Sequence, residues 1–261
     1  MTEPSLACLR ETAWETRNLG RASFAVTESF WEAPDFSALG VELSALRGTR
    51  GPLFAYARLG RERLPLVPQV QALGFYVVEC TVSPVMMLHR NPVLRDFEAD
   101  PAPFIPRRYR GEDLKFETLK AVTPEWARAL EAMARESFSD DRFHRDHRCP
   151  PGIADQRFAW WMGDLLRDPG IGYDVLSLRG TPVAFVAHRG NHMIISGFDA
   201  RHTSSGLGEY FWLAICSAAK RAGHNHVHTV VSVNNLPSLN LCARCGFRFK
   251  DTAYGFHLWL D

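Results

Sequence analysis

Three β-rich runs within residues 173–198 constrain this chain more than any other feature. Residues 173–178, 183–188 and 192–198 alternate or are rich in β-formers, and Arg179-Gly180-Thr181-Pro182 and Gly190-Asn191 between them are turn signals. This pattern predicts an antiparallel meander. The third run leads through Asp199-Ala200-Arg201-His202-Thr203-Ser204-Ser205-Gly206-Leu207-Gly208 directly into a helix expected over 206–222. There Leu207, Phe211, Ala214, Ala218 and Ala222 share one helical stripe. Lys220 and Arg221 suit the negative end of that helix, and Gly223 suits a left-handed stop.

The flanking segments extend the pattern. A strand is expected over 115–121 and helices over 124–138 and 159–166. After the long helix come a strand over 226–233, a short helix over 236–245 and a last strand over 247–260. Asn235 can cap the short helix, Pro237 fits its first turn and Gly246 can end it. The fold class is therefore α+β, a mixed and largely antiparallel sheet flanked by helices. Pro101, Pro103 and Pro106 among arginines and acids read as a linker over 96–112, which separates a smaller α/β domain at 1–95 from a larger one at 113–261. Both domains carry a helix, a Gly-Phe pair (Gly74-Phe75, Gly246-Phe247) and a strand, the trace of a diverged internal repeat.

Composition removes several classes of partner. Lys and Arg number 30 against 29 Asp and Glu, so no nucleic acid is expected. The short basic stretches Arg107-Arg108-Tyr109-Arg110 and 142–148 read as solvated loops. No apolar run approaches the roughly 20 residues of a membrane span, and the first residues lack the pattern of a signal peptide. Cytoplasmic location is expected, with Cys8, Cys80, Cys149, Cys216, Cys242 and Cys245 as reduced thiols.

The strand-to-helix loop is the candidate site. The first N–H groups of a helix have no intrahelical partner, the helix dipole adds positive potential, and Gly206 and Gly208 allow close approach of an oxygen. A pyrophosphate is the natural guest. Thr203-Ser204-Ser205-Gly206-Leu207-Gly208, followed by Asn235-Leu236-Pro237-Ser238-Leu239-Asn240-Leu241-Cys242-Ala243-Arg244-Cys245-Gly246-Phe247, resembles the paired motifs of the GNAT superfamily of N-acetyltransferases. Arg142-Phe143, Phe158-Ala159-Trp160-Trp161, Thr252-Ala253-Tyr254 and the Leu73-Gly74-Phe75 of a partial GNAT-like N-terminal domain are similar to the TDP-fucosamine acetyltransferase group.

That resemblance implies acetyl-CoA as co-substrate, held by Thr203, Ser204, Ser205, Gly206, Leu207 and Gly208, with its pantetheine arm along Phe198 and Asp199. Asn235 is implied as a polar contact to the arm, although it reads equally as a helix cap. The acceptor is implied to be a small-molecule amine, plausibly that of a nucleotide-linked amino sugar, with Arg142, Phe143 and His144 at its pocket and a homodimer as a possible assembly. Thr203 stands where the family has Gln or Arg, and Cys242 where it has the tyrosine that protonates the departing thiolate. Cys242 and Tyr254 are the candidate acids, the former read more readily as a small core side chain. Asp199, His192 and His144 are candidate bases. A longer acyl chain, an amino acid acceptor, or acyl-CoA binding without catalysis are the alternatives. Cys242/Cys245, His224/His226/His228 and His144/His147/Cys149 have spacings short of a metal site, and no metal is expected.

Overall fold

The computed structural model describes residues 6–119 and 121–261. Residues 1–5 of the N-terminal stretch, and Lys120 within the strand expected over 115–121, lie outside the described residues. In chain order the elements are β1 (Leu9–Glu11), α1 (Ala13–Leu19), β2 (Ala22–Val26), α2 (Phe36–Arg50), β3 (Leu53–Gly60), α3 (Val67–Ala72), β4 (Tyr76–Met87) and α4 (Pro92–Ala99). There follow β5 (Leu114–Leu119), α5 (Pro124–Glu136), α6 (Ile153–Arg167), β6 (Gly172–Leu178), β7 (Thr181–Arg189) and β8 (His192–Phe198). The chain closes with α7 (Leu207–Arg221), β9 (His226–His228), β10 (Val231–Ser232), α8 (Leu236–Arg244) and β11 (Arg248–Leu260). Strand pairing is antiparallel except for the parallel pairs β2/β3 and β8/β9, among the pairs whose register is described.

Contacts divide the chain into two compact units. The first comprises Met1–Thr81, Asp141–Ile153 and Asp251–Asp261. Its strands lie in the order β1, β2, β3, β11 and the start of β4. Alternation along each strand sends Phe24, Ala55, Ala57, Phe256 and Leu258 to one face, where Leu39, Leu43 and Leu46 of α2 and Val70 of α3 complete a core. Asp35 caps α2, its carboxylate accepting from Ala38 N at 3.0 Å.

The opposite parity presents Phe54, His257 and Trp259, and here the segment 141–153 belongs. Asp146 is buried and accepts from Tyr76 Oη (2.5 Å), His257 Nδ1 (2.7 Å), Trp259 Nε1 (2.7 Å) and Arg148 N (3.0 Å). Burial alone would raise its pKa, but the bonds from His257, Tyr76 and Trp259 hold it well below the usual carboxylate range. His257 has no exposed surface, and burial pushes its pKa down to about 4 despite the Asp146 bond. The imidazole is thus neutral at pH 7 with its proton on Nδ1.

The second unit comprises Val82–Asp140 and Ala154–Lys250. Its strands run in the order β4, β9, β8, β7, β6, β5, with β10 pairing β4. The two strand faces have separate cores. Leu176, Ala184 and Val186 meet α4, α7 and α8, while Tyr173, Val175, Phe185, Ala187 and Ile195 meet α5 and α6. Asn91 caps α4 through Leu94 N (2.9 Å) and donates to Cys245 O (2.9 Å) and Gly246 O (3.1 Å). A side chain at Gly246 would collide with that amide, at 2.6 Å, and Gly246 also needs φ of 81°.

Two expectations are revised. The packing does not follow the contiguous division at 1–95, 96–112 and 113–261, because 141–153 and the end of β11 are held by long-range bonds to the first unit. The 96–112 stretch is also no free linker, since Phe97 and Tyr109 are buried in the second unit's core. The strand expected over 226–233 is interrupted at Thr229, although its N–H still donates to Pro84 O of β4 at 3.1 Å, and resumes as β10, which also pairs β4.

Candidate functional site

Strand β8 is paired along most of its length on one side only. Its partner β7 spans Ala184↔Phe198 to Arg189↔His192, whereas β9 meets it in parallel at the single position His192↔His228. Beyond that position the chain stays on β4, through Thr229 N–H to Pro84 O and then β10, and no longer pairs with β8, so the outer edge of β8 opens toward its C-terminal end. Asp199 N–H donates to Val183 O at 2.9 Å, which directs it toward β7. Strand amides alternate in direction, so the N–H and C=O of Phe198 face the open side.

At the closed end, the His192 and His228 rings stack at 4.7 Å with 2° between planes, and His226 stacks on His228 at 5.8 Å. Burial lowers the pKa of His192 and of His228, the latter also through His192 and His226. Asn191 Nδ2 pairs with His226 Nε2 at 2.9 Å. Face-to-face rings do not aim their nitrogens at one point, and among the described residues no group of three or more His, Cys, Asp or Glu is placed to hold a metal ion.

The loop after β8 is built from tight turns. His202 N and Thr203 N donate to Asp199 O at 2.8 and 3.1 Å, and Ser205 N donates to His202 O at 3.1 Å. Buried Ser205 then accepts from Leu207 N at 3.3 Å. Ser204 (φ 61°) and Gly206 (φ 84°) both take left-handed conformations, with Ser205 between them on the ordinary side. Such alternation gathers amide N–H groups into an anion-binding concavity. The turn bonds leave out the amides of Ser204, Gly206 and Gly208. Gly206 is the N-cap of α7, with no side chain there to bond the helix start.

Each expected residue can now be placed. Leu207 is fully buried in the core beneath the loop. Gly208 does something other than expected: a Cβ there would lie 2.9 Å from Leu241 Cδ2, so its smallness lets α7 meet α8. Thr203 Oγ1 reaches back to Asp199 O at 3.5 Å. Asp199 accepts from Arg201 Nε and one Nη at 2.9 Å each, and those bonds lower its pKa, which unsuits it as a base. Asn235 caps α8, accepting from Ser238 N at 3.1 Å. Cys242 is buried in the core and burial pushes its thiol up to about 12, so it is a packing residue and a poor acid.

Arg142, Phe143, His144 and Tyr254 belong to the first unit. Phe143 is buried against Phe54 and His257. Arg142 pairs with buried Glu15 and lies over the Tyr56 and Phe143 rings at 4.5 and 4.6 Å, while His144 Nδ1 pairs with Asp141. These bonds tie 141–153 down, and Phe143 in particular is core. Tyr254 packs partly buried beside Phe256.

Two contributors to the second unit's site escaped the sequence reading. Pro106 lies over the loop, its Cγ 3.1 Å from where a Gly206 Cβ would be, and Tyr109 Oη bonds His202 Nδ1 at 3.0 Å. This seats exposed Arg107 and Arg108 on a segment packed against the loop. The other is Ser137, just past α5, whose Oγ accepts from Phe198 N–H at 3.2 Å. Only the Arg-Arg-Tyr-Arg run gave a signal for the first, and nothing marked the second.

By sequence, the chain matches no family model and no curated protein. By structure it is similar to a GCN5-related N-acetyltransferase from Sphaerobacter thermophilus, with TM-score 0.60, 14% identity, and 93% of this chain and 74% of that one covered. A tandem GNAT protein from the clavulanic acid biosynthesis pathway gives TM-score 0.58 and 14% identity over 92% and 76%. A GCN5-related N-acetyltransferase from Kribbella flavida gives 0.55 and 15% over 90% and 80%. The fold is GNAT-like, as the loop and Gly-Phe motifs imply.

Proposed function

We propose that the chain is an acyl-CoA-dependent N-acyltransferase, moving an acetyl group from acetyl-CoA to the primary amine of a small molecule. The observation that carries this reading is the open edge of β8 running straight into a loop with an uncapped glycine helix start. An open strand edge can pair with an extended amide-bearing arm, and the loop's amides suit a pyrophosphate. A nucleotide-linked amino sugar is the acceptor carried over from the sequence resemblance.

In this reading the amine attacks the thioester carbonyl, the C–S bond breaks and the thiolate takes a proton while the ammonium product loses one. The amides of Ser204 and Gly206 hold the phosphates. An open-edge amide of β8 stabilises the oxyanion. With Cys242 buried and Tyr254 packed in the first unit, no side chain is assigned as the proton donor and solvent supplies the proton. The replacement of the family's tyrosine by a buried thiol favours one second reading, a binder of acyl-CoA without catalysis. Release of free coenzyme A across a panel of amines separates the two, and binding with no turnover on any amine would overturn the enzyme.

A further inference from the structure

Ser137 sits where a strand neighbour of β8 would be. Its Oγ accepts from Phe198 N–H at 3.2 Å and lies 3.2 Å from Phe198 O, the two backbone groups that face the open edge. The hydroxyl proton has a better acceptor in Met133 O at 2.6 Å, one turn back in α5. A lone pair of Oγ is therefore left for the Phe198 amide. The contact is built in: a Cβ at Gly197 would fall 2.6 Å from Ser137 Oγ and 2.7 Å from Phe185 Cε1, so only glycine lets the end of α5 come this close.

Along an edge unpaired beyond His192, one hydroxyl thus takes up the Phe198 N–H and crowds its C=O. An extended ligand adding to this edge pairs through its own amide and has to take those same groups. Phe198 is also the last residue of β8, beside the loop that would hold the phosphates.

We propose that Ser137 is a resident substitute for the amide arm of coenzyme A, holding the Phe198 N–H that the arm must take. It acts through Phe198 as a positioning residue, and sets affinity for the arm but not for the nucleotide. The proposal rests on the acyl-CoA reading.

The test is calorimetric binding of coenzyme A and of adenosine 3′,5′-bisphosphate, which lacks the arm, to the full chain. Ser137→Ala removes the competitor, and coenzyme A should bind about 2- to 10-fold more tightly, the worth of one neutral hydrogen bond. The bisphosphate should stay within about twofold, and Ser137→Thr, which keeps the hydroxyl, should track the parent protein. Equal changes for both ligands, or weaker binding of coenzyme A, would overturn the role of Ser137 alone. Failure of the parent protein to bind either ligand would overturn the acyl-CoA reading and the proposal with it. Should Ser137→Ala not fold, the Phe198 amide resonance of the parent protein serves instead. It should move with coenzyme A and not with the bisphosphate, and an equal response to both sinks the idea.

Discussion

The two units repeat one sequence of elements and differ where it matters. Each has a strand, a 15-residue helix, a strand parallel to the first, a short helix, a Gly-Phe pair and a final strand. In the first unit these are β2, α2, β3, α3, Gly74-Phe75 and β4. In the second they are β8, α7, β9, α8 and Gly246-Phe247, and the strand that follows, β11, belongs from residue 251 to the first unit. Both glycines have positive φ, 91° and 81°, and both phenylalanines are buried. Yet β2 pairs with β3 through Ala22, Ser23, Phe24 and Ala25, while β8 pairs with β9 only at His192. Helix α2 starts at a carboxylate cap, and α7 starts at a bare glycine. One half closed its strands and filled its helix start with negative charge; the other kept both open. On the acyl-CoA reading, this difference is what would place anion binding in the second unit.

The most severe way to break the comparison is to give α7 the cap of α2. Gly206→Asp strains a left-handed position and puts a carboxylate where phosphate would sit. Coenzyme A binding should weaken about 100-fold or more by calorimetry, equivalent to about 2.7 kcal/mol. Retained binding would detach the loop from the site.

A second effect sharpens the contrast by acid. Because folding depresses the His257 pKa from 6.5 to about 4, the unfolded chain takes up the proton first as pH falls. The stability is whole above pH 6.5 and is lost on the way down to about 4, on the order of 3 kcal/mol. Urea unfolding across that range should report it. His192 and His228 titrate in the same sense, so His257→Gln isolates the first unit's share by flattening part of the slope.

The reciprocal change at the other helix start is milder. Asp35→Ala should cost about 1 kcal/mol in urea unfolding and leave coenzyme A affinity unchanged. A fall in affinity would show that the first unit also takes part in binding. Smallest of all, Cys242→Ala should keep turnover within about twofold, as a truncated core side chain does when it has no chemical role. A loss of about 100-fold in kcat with stability preserved would restore it as the acid.

Local patterns made much of this fold readable. Alternation and turn residues placed β6, β7 and β8, and caps such as Asn235 placed α8 within a residue. The opening beside β8 was not readable, because residues 226–233 look uniformly strand-forming and the separation rests on their following β4 rather than β8. Nor was the unit boundary, which is set by Asp146 gathering Tyr76, His257 and Trp259 from distant positions. The strand-to-helix loop was legible from its glycines, but the separate duties of Gly206 and Gly208 depend on Pro106 and Leu241. Ser137 escaped because a lone serine after a helix carries no spacing signal.

The distribution of the first unit along the chain has a consequence for biosynthesis. Its early strands leave the ribosome first, yet Asp146 and the β11 partners of β3 arrive only later, the latter after the entire second unit. Domains generally fold in the order they are made, but here the half begun first cannot close until the other has been translated. During that interval the edge of β3 and the apolar faces of α2 lack their last neighbour. A nascent chain arrested before β11 should therefore engage chaperones through its oldest segment, and a split of this protein into two separately expressed pieces would have to carry β11 with the N-terminal one.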